Sequence, residues 1–246
     1  MDPFILSLQS SIDRFDRALR IGPLDAPVRG CPGWDLAELT RHLGFIHRWA
    51  RLAAVMRDRP DTSQIDAAPD DPAALVGWFD AGAAALIEAL TALEPDDQTW
   101  HPFTVAQVGR VWPRRQAHEA FVHAWDAEDA VGIASQVDPA VAADGIAEYF
   151  EVIVPRMFTR DARPAPVGTV AVVCTDADFG HGSDRLVVRV ERIDEQAVLT
   201  IDPTATADTE FVGRALDLSL ALWGRRPLAD EPSHTLAQEW LRFGGN

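Results

Sequence analysis

Glu119 and His123 are the residues of this chain whose types and spacing point most directly to chemistry. They lie four apart in Trp-Pro-Arg-Arg-Gln-Ala-His-Glu-Ala-Phe-Val-His-Ala-Trp-Asp, residues 112–126. On a helix each residue advances about 100°, so the two side chains leave one face about 40° apart, with Asp126 on the same stripe. A carboxylate and an imidazole placed this way can share one metal ion. His118 beside Glu119 suggests the zinc-protease signature, but that motif needs two His four apart. His118 and His123 are five apart, about 140° of rotation, so the protease reading fails. A Glu and a His at this spacing often form a plain solvated pair. Here Phe121, Val122 and Trp125 surround them, which predicts a largely buried helix, and a buried Glu needs a partner or a metal.

His42 is the favoured third ligand, within Cys-Pro-Gly-Trp-Asp-Leu-Ala-Glu-Leu-Thr-Arg-His-Leu-Gly, residues 31–44. Pro32-Gly33 marks a turn, Asp35 is a candidate N-cap, and Glu38 stands where a capping-box carboxylate reaches back. His42 then sits two turns into the helix. Glu38 also precedes His42 by four, but the cap already occupies it. Asp126 could be a ligand, an ion-pair partner, or the acceptor for the free ring nitrogen of a ligating His; the acceptor role is preferred, since ligating imidazoles usually donate their other N–H. Three ligands with an open fourth position is the pattern of catalytic zinc. His118, His47, His101, His181 and His234 are read as structural or surface residues.

These side chains must be positioned by helices. Phe4, Ile5, Leu8, Ile12, Phe15 and Leu19 keep a helical period through residues 3–20. A second helix is expected over about 35–58. A third opens at Asp71-Pro72 and runs through Leu93, a fourth begins near Pro113, and a fifth runs from Asp138-Pro139 to about Phe158. A Pro- and Gly-containing linker, Arg160 to Gly168, leads to β-type runs at 169–175, 186–193 and 197–201, with a turn at 180–184. A further strand within 206–213 and helices near 213–223 and 234–242 complete the plan. The fold class is mainly α: a helical bundle over 1–160, then a smaller α+β domain over 161–246. Bundles build metal sites from side chains on facing helices, here His42 from the second and Glu119 and His123 from the fourth.

The bulk composition limits the partners. There are 22 Lys and Arg against 38 Asp and Glu, a net charge of −16, which phosphate backbones and anionic membranes would repel. Nucleic-acid and membrane partners are therefore not expected. Cys31 and Cys174 lie far apart without metal-type spacing and are read as two free thiols in a reducing cytoplasm. The N-terminus has no signal-peptide pattern, and no run is expected to reach the length of a membrane span.

The chain resembles the mycothiol-dependent maleylpyruvate isomerase family, whose N-terminal domain is a DinB-like helical bundle. The resemblance rests on Cys31-Pro32-Gly33-Trp34 leading to His42-Leu43-Gly44, and on Arg115, His118-Glu119 and His123 followed by Asp126. It extends to Asp217-Leu218-Ser219-Leu220-Ala221-Leu222-Trp223-Gly224-Arg225. It implies a divalent metal, zinc, on His42, Glu119 and His123, and mycothiol as the thiol cosubstrate of a small-molecule reaction. It also implies an arginine from the C-terminal domain. Arg225 is the candidate to bind a substrate carboxylate, with Arg226 as rival; either could instead be a cation at a helix C-terminus. A metal-held thiol loses its proton near neutral pH, so isomerisation by thiol addition, bond rotation and elimination is expected, or thiol S-transfer. The alternatives are metal-assisted hydrolysis with Asp126 as base, and a non-catalytic metal- or thiol-binding protein.

Overall fold

The computed structural model describes residues 2–160, 164–180, 182–230 and 232–244. Two compact units emerge, the first formed by residues 1–102 and 106–135, the second by 103–105 and 136–246.

The first unit is a bundle of α1 (Pro3–Ile21), α2 (Leu36–Met56), α3 (Pro72–Thr91) and α4 (Val111–Ala130). α1 packs on α4 and α2 on α3, with α2 also against α4 and α1 against α3. The capping signals act where the sequence places them. Asp35 accepts from the Glu38 N–H while the Glu38 carboxylate accepts from the Asp35 N–H, at 2.8 and 3.1 Å. Asp71 caps α3 through the Ala74 N–H. Leu8, Phe15, Leu39, Leu43, Phe79, Leu86 and Trp112 fill the core. α4 contributes Ala117, Ala120, Ala124 and Ala127, all fully buried, a stripe of small side chains that admits a close neighbour. Arg14 of α1 forks onto Glu128 of α4 at 3.0 and 2.6 Å, and the Ser135 hydroxyl donates to the same carboxylate.

α3 corrects one expectation: by length and composition it is apolar enough to cross a membrane. It reads so because Ala and Gly fill it, while in the bundle Leu75, Phe79, Ala83, Leu86 and Leu90 are buried.

Gly44, two residues beyond His42, lets α2 and α3 meet. A Cβ there would overlap the Trp78 ring, whose other partner is the Arg48 guanidinium 3.8 Å from the ring centroid. Arg48 also donates to the Trp78 carbonyl at 2.6 Å, so the ring is held in place. Gly44→Ala should gain about 1 kcal/mol of helix propensity and lose about 1–3 kcal/mol to overpacking. The net is a loss of about 1 kcal/mol, read as a lower urea midpoint at unchanged slope.

In the second unit, α5 (Pro139–Glu148) runs into a π-helical turn, Tyr149–Ile153, and then α6 (Val154–Arg160). The sequence predicts one uninterrupted helix here. The π-turn buries consecutive aromatics: Tyr149 packs edge-on to Trp223 and Phe150 to Trp240. β1 (Gly168–Cys174), β2 (Arg185–Ile193), β3 (Gln196–Ile201) and β4 (Thr209–Gly213) form a sheet in the order β3-β2-β1-β4. β1 pairs antiparallel with β2 and parallel with β4. α7 (Ala215–Leu222) and α8 (Thr235–Gly244) pack on β1 and β4. The architecture is the expected helical bundle followed by a smaller α+β unit.

The units part at Ser135/Gln136 rather than at 160/161. Composition changes at 160, but α5 packs on α7, so it belongs with the sheet. Part of the expected linker, residues 161–163, and His181 of the expected turn lie outside the described residues.

Candidate metal centre

The capping box starts α2 at Leu36 and fixes the phase on which His42 emerges. α4 carries Glu119 and His123 one turn apart. Glu119 Oε1 stands 3.5 Å from Nε2 of His42 and 3.5 Å from Nε2 of His123. Ligands about 2.0–2.2 Å from a tetrahedral zinc stand roughly 3.3–3.6 Å apart, so both edges fit one ion. The two imidazoles meet edge to face, with centroids 5.1 Å apart. The donor set of two neutral imidazoles and a carboxylate suits zinc. His42 and Glu119 keep 32% and 21% side-chain exposure while His123 keeps 9%, so the group opens on one side.

The second oxygen of Glu119 is occupied: Oε2 accepts from Arg115 Nη2 at 2.6 Å. Arg115 therefore orients the carboxylate and leaves Oε1 facing the histidines. His123 Nδ1 lies 3.0 Å from Asp126 Oδ2, and Cys31 Sγ lies 3.7 Å from the same oxygen. Burial pushes the Glu119 carboxyl up, yet its contacts with His123 and His42 and the Arg115 charge outweigh it. They hold Glu119 well below the usual carboxylate range. Burial likewise pushes His123 down, but Asp126, Cys31 and Glu119 together hold it well above the usual histidine range. In the metal-free chain the site is thus a buried ion pair, and a metal would displace a proton from His123.

Trp34 packs beside His42 at a centroid distance of 5.0 Å. It also lines a cleft of about 430 Å³ with Pro27, Val28, Arg29, Gly33 and Glu38. Glu38 is held by the cap and is absent from the metal-type group. His118 and His101 are buried, the latter folded onto the Ala106 carbonyl and Gln107, and His234 is exposed. Arg225 belongs to the second unit, where it donates to the Trp223 carbonyl at 2.9 Å. Arg226 pairs with Asp217 at 3.2 Å.

Sequence reasoning left two participants without a role. Arg115 stands four residues before Glu119, an ion-pair spacing that can be read directly. Cys31 carries no local signal, because its partner Asp126 is 95 residues away.

Residues 7–128 match the family model described as the mycothiol maleylpyruvate isomerase N-terminal domain. The curated proteins and the solved structures gave no match to the chain.

Proposed function

We propose that this chain, which belongs through residues 7–128 to the mycothiol maleylpyruvate isomerase N-terminal domain family, uses a divalent metal and mycothiol on a small electrophile. The reaction is an isomerisation or an S-transfer. The observation that carries this reading is Glu119 Oε1 set 3.5 Å from one nitrogen of each of two imidazoles. His42, Glu119 and His123 would hold the ion, with zinc the metal that suits them. Bound there, the metal would supply a Lewis acid and lower the pKa of a thiol at its open position.

The protein's own residues do the rest. Arg115 fixes Glu119, Asp126 fixes the His123 ring, and Trp34 backs His42. Asp126 is unsuited to be a hydrolytic base, because its side chain has no exposure and Oδ2 already serves His123. That favours the thiol reading over metal-assisted hydrolysis. Cys31 and Cys174, both buried and neither in a disulfide, fit a cytoplasmic setting.

Titrating mycothiol calorimetrically into zinc-loaded protein tests the reading. Binding that needs the metal supports it, and no binding sinks it. Turnover across a panel of electrophiles then separates an enzyme from a storage or sensing protein.

Arg225 is the proposed carboxylate-binding cation. Arg225→Gln should raise KM for carboxylate substrates about 10- to 100-fold, the loss of a charge-assisted hydrogen bond of about 1.5–3 kcal/mol. Arg226→Gln should leave KM within about threefold, because Arg225 is the residue assigned to the carboxylate. Equal KM values for the two variants would remove Arg225 from the role.

A further inference from the structure

Cys31 sits in a short, tightly bonded segment ahead of α2. The Val28 N–H donates to the Trp34 carbonyl, the Cys31 N–H to the Val28 carbonyl, and the Trp34 N–H to the Cys31 carbonyl, at 2.9, 3.1 and 3.0 Å. Gly33 adopts φ +88° inside it, a left-handed conformation that glycine accepts without strain. The segment therefore holds Cys31 and Trp34 in fixed relation, and each reaches one imidazole of the candidate centre. Trp34 packs on His42. Cys31 meets His123 both through Asp126 and at the edge of the ring itself.

Cys31, His123 and Asp126 also form a compact buried group of metal-type residues, so a second metal site has to be weighed. The spacing argues against it. The 3.0 Å from His123 Nδ1 to Asp126 Oδ2 is an ordinary hydrogen bond, tighter than the roughly 3.3 Å edge of a tetrahedral zinc site. Asp126 has no exposure, and a buried carboxylate needs hydrogen-bond donors to stay charged. The thiol and the imidazole are two such donors on one oxygen.

We propose that Cys31 is a positioning residue for the metal centre: its thiol and the His123 Nδ1–H converge on Asp126 Oδ2, which fixes the ring so that Nε2 faces Glu119 and the metal. The inference rests on the metal reading given above. A thiol suits the position because it is small, tolerates burial and donates weakly. It supports the carboxylate and leaves most of that charge to the imidazole.

The test uses the full chain, stripped of metal, as wild type, Cys31→Ala and Cys31→Ser. Zinc affinity is measured by chelator competition, and the site is read spectroscopically with cobalt. Cys31→Ala should bind zinc about tenfold or more weakly, the usual cost of removing a partner behind a ligand, and its cobalt d–d bands should shift. Cys31→Ser, which keeps a donor, should stay within about threefold of wild type. Wild type should show no thiolate-to-cobalt charge-transfer band in the near ultraviolet.

Three results would overturn the proposal: Cys31→Ala binding zinc as wild type does, Cys31→Ser binding as weakly as Cys31→Ala, or a charge-transfer band that would make Cys31 a ligand. If Cys31→Ala does not fold, the His123 Nδ1–H resonance in zinc-loaded Cys31→Ser decides. It should move, because hydroxyl and thiol donate unequally to the same oxygen, and an unmoved resonance counts against the link. Wild type that takes up neither metal would overturn the metal reading and the role of Cys31 with it. Metal-binding wild type with an unchanged Cys31→Ala overturns the Cys31 role alone.

Discussion

His123→Ala protein is expected to emerge from purification with less than about a tenth of an equivalent of zinc, where wild type carries close to one. Removing a partner behind a metal ligand already costs 10- to 100-fold in affinity, so removing one of three ligands should cost about a thousandfold or more, on the order of 4 kcal/mol. The same substitution strips the metal-free chain of the cation that faces Asp126 Oδ2 at 3.0 Å and Glu119 Oε1 at 3.5 Å. Breaking a buried ion pair from one side costs about 3–5 kcal/mol, so lost metal could be confused with lost fold. Glu119→Gln separates the two. It keeps the side-chain shape and an oxygen for Arg115 but replaces the anionic ligand, so zinc content should fall while the urea midpoint moves less than in His123→Ala. Elemental analysis beside urea unfolding reads both. Full zinc occupancy in His123→Ala, or a metal-free wild type, would end the metal reading and leave a charged cluster organised by Arg115.

Much of this centre could be read from the chain because its geometry is local. Glu119 and His123 share a helix, and helical pitch alone puts them on one face. Asp126 adds a third residue on that stripe. The Asp35–Glu38 box is equally local, so the start of α2 and the assignment of Glu38 to the cap follow from the chain alone. The juxtaposition of His42 with α4 is different, because it depends on how α2 and α4 pack. It could be expected only from the habit of bundles to build sites between helices and from the family resemblance. The domain boundary was hidden for the same reason. Pro and Gly mark a change of composition near residue 160, but α5 is assigned by what it packs against, and nothing within Pro139–Glu148 announces α7 as its partner. The π-turn likewise follows from where Tyr149 and Phe150 meet Trp223 and Trp240, contacts that lie far off in sequence.

His47 shows how far a residue with no pattern of its own can shape stability. It lies five residues beyond His42 on α2, is fully buried, and packs on Phe79 at 5.4 Å between ring centroids. Neither ring nitrogen has a hydrogen-bond partner among the described residues. Burial pushes its pKa from 6.5 down to about 3, partly opposed by the Glu119 charge. The unfolded chain therefore binds a proton at His47 between pH 6.5 and about 3 that the folded chain refuses, so stability rises with pH across that window and is lost on acidification. The full shift corresponds to roughly 4–5 kcal/mol, of which about 3 kcal/mol should be gone by pH 4.5. His47→Leu, similar in volume and without ring nitrogens, should remove this dependence. It should also gain about 1–3 kcal/mol at neutral pH by deleting unsatisfied polar atoms. Urea unfolding of metal-free wild type and His47→Leu from pH 4.5 to 8 measures the difference, and other titrating groups common to both proteins cancel. The gap between the two curves should widen steadily below pH 6.5. Parallel curves would mean that His47 finds a partner or a proton inside the fold, and its burial would then carry no acid sensitivity.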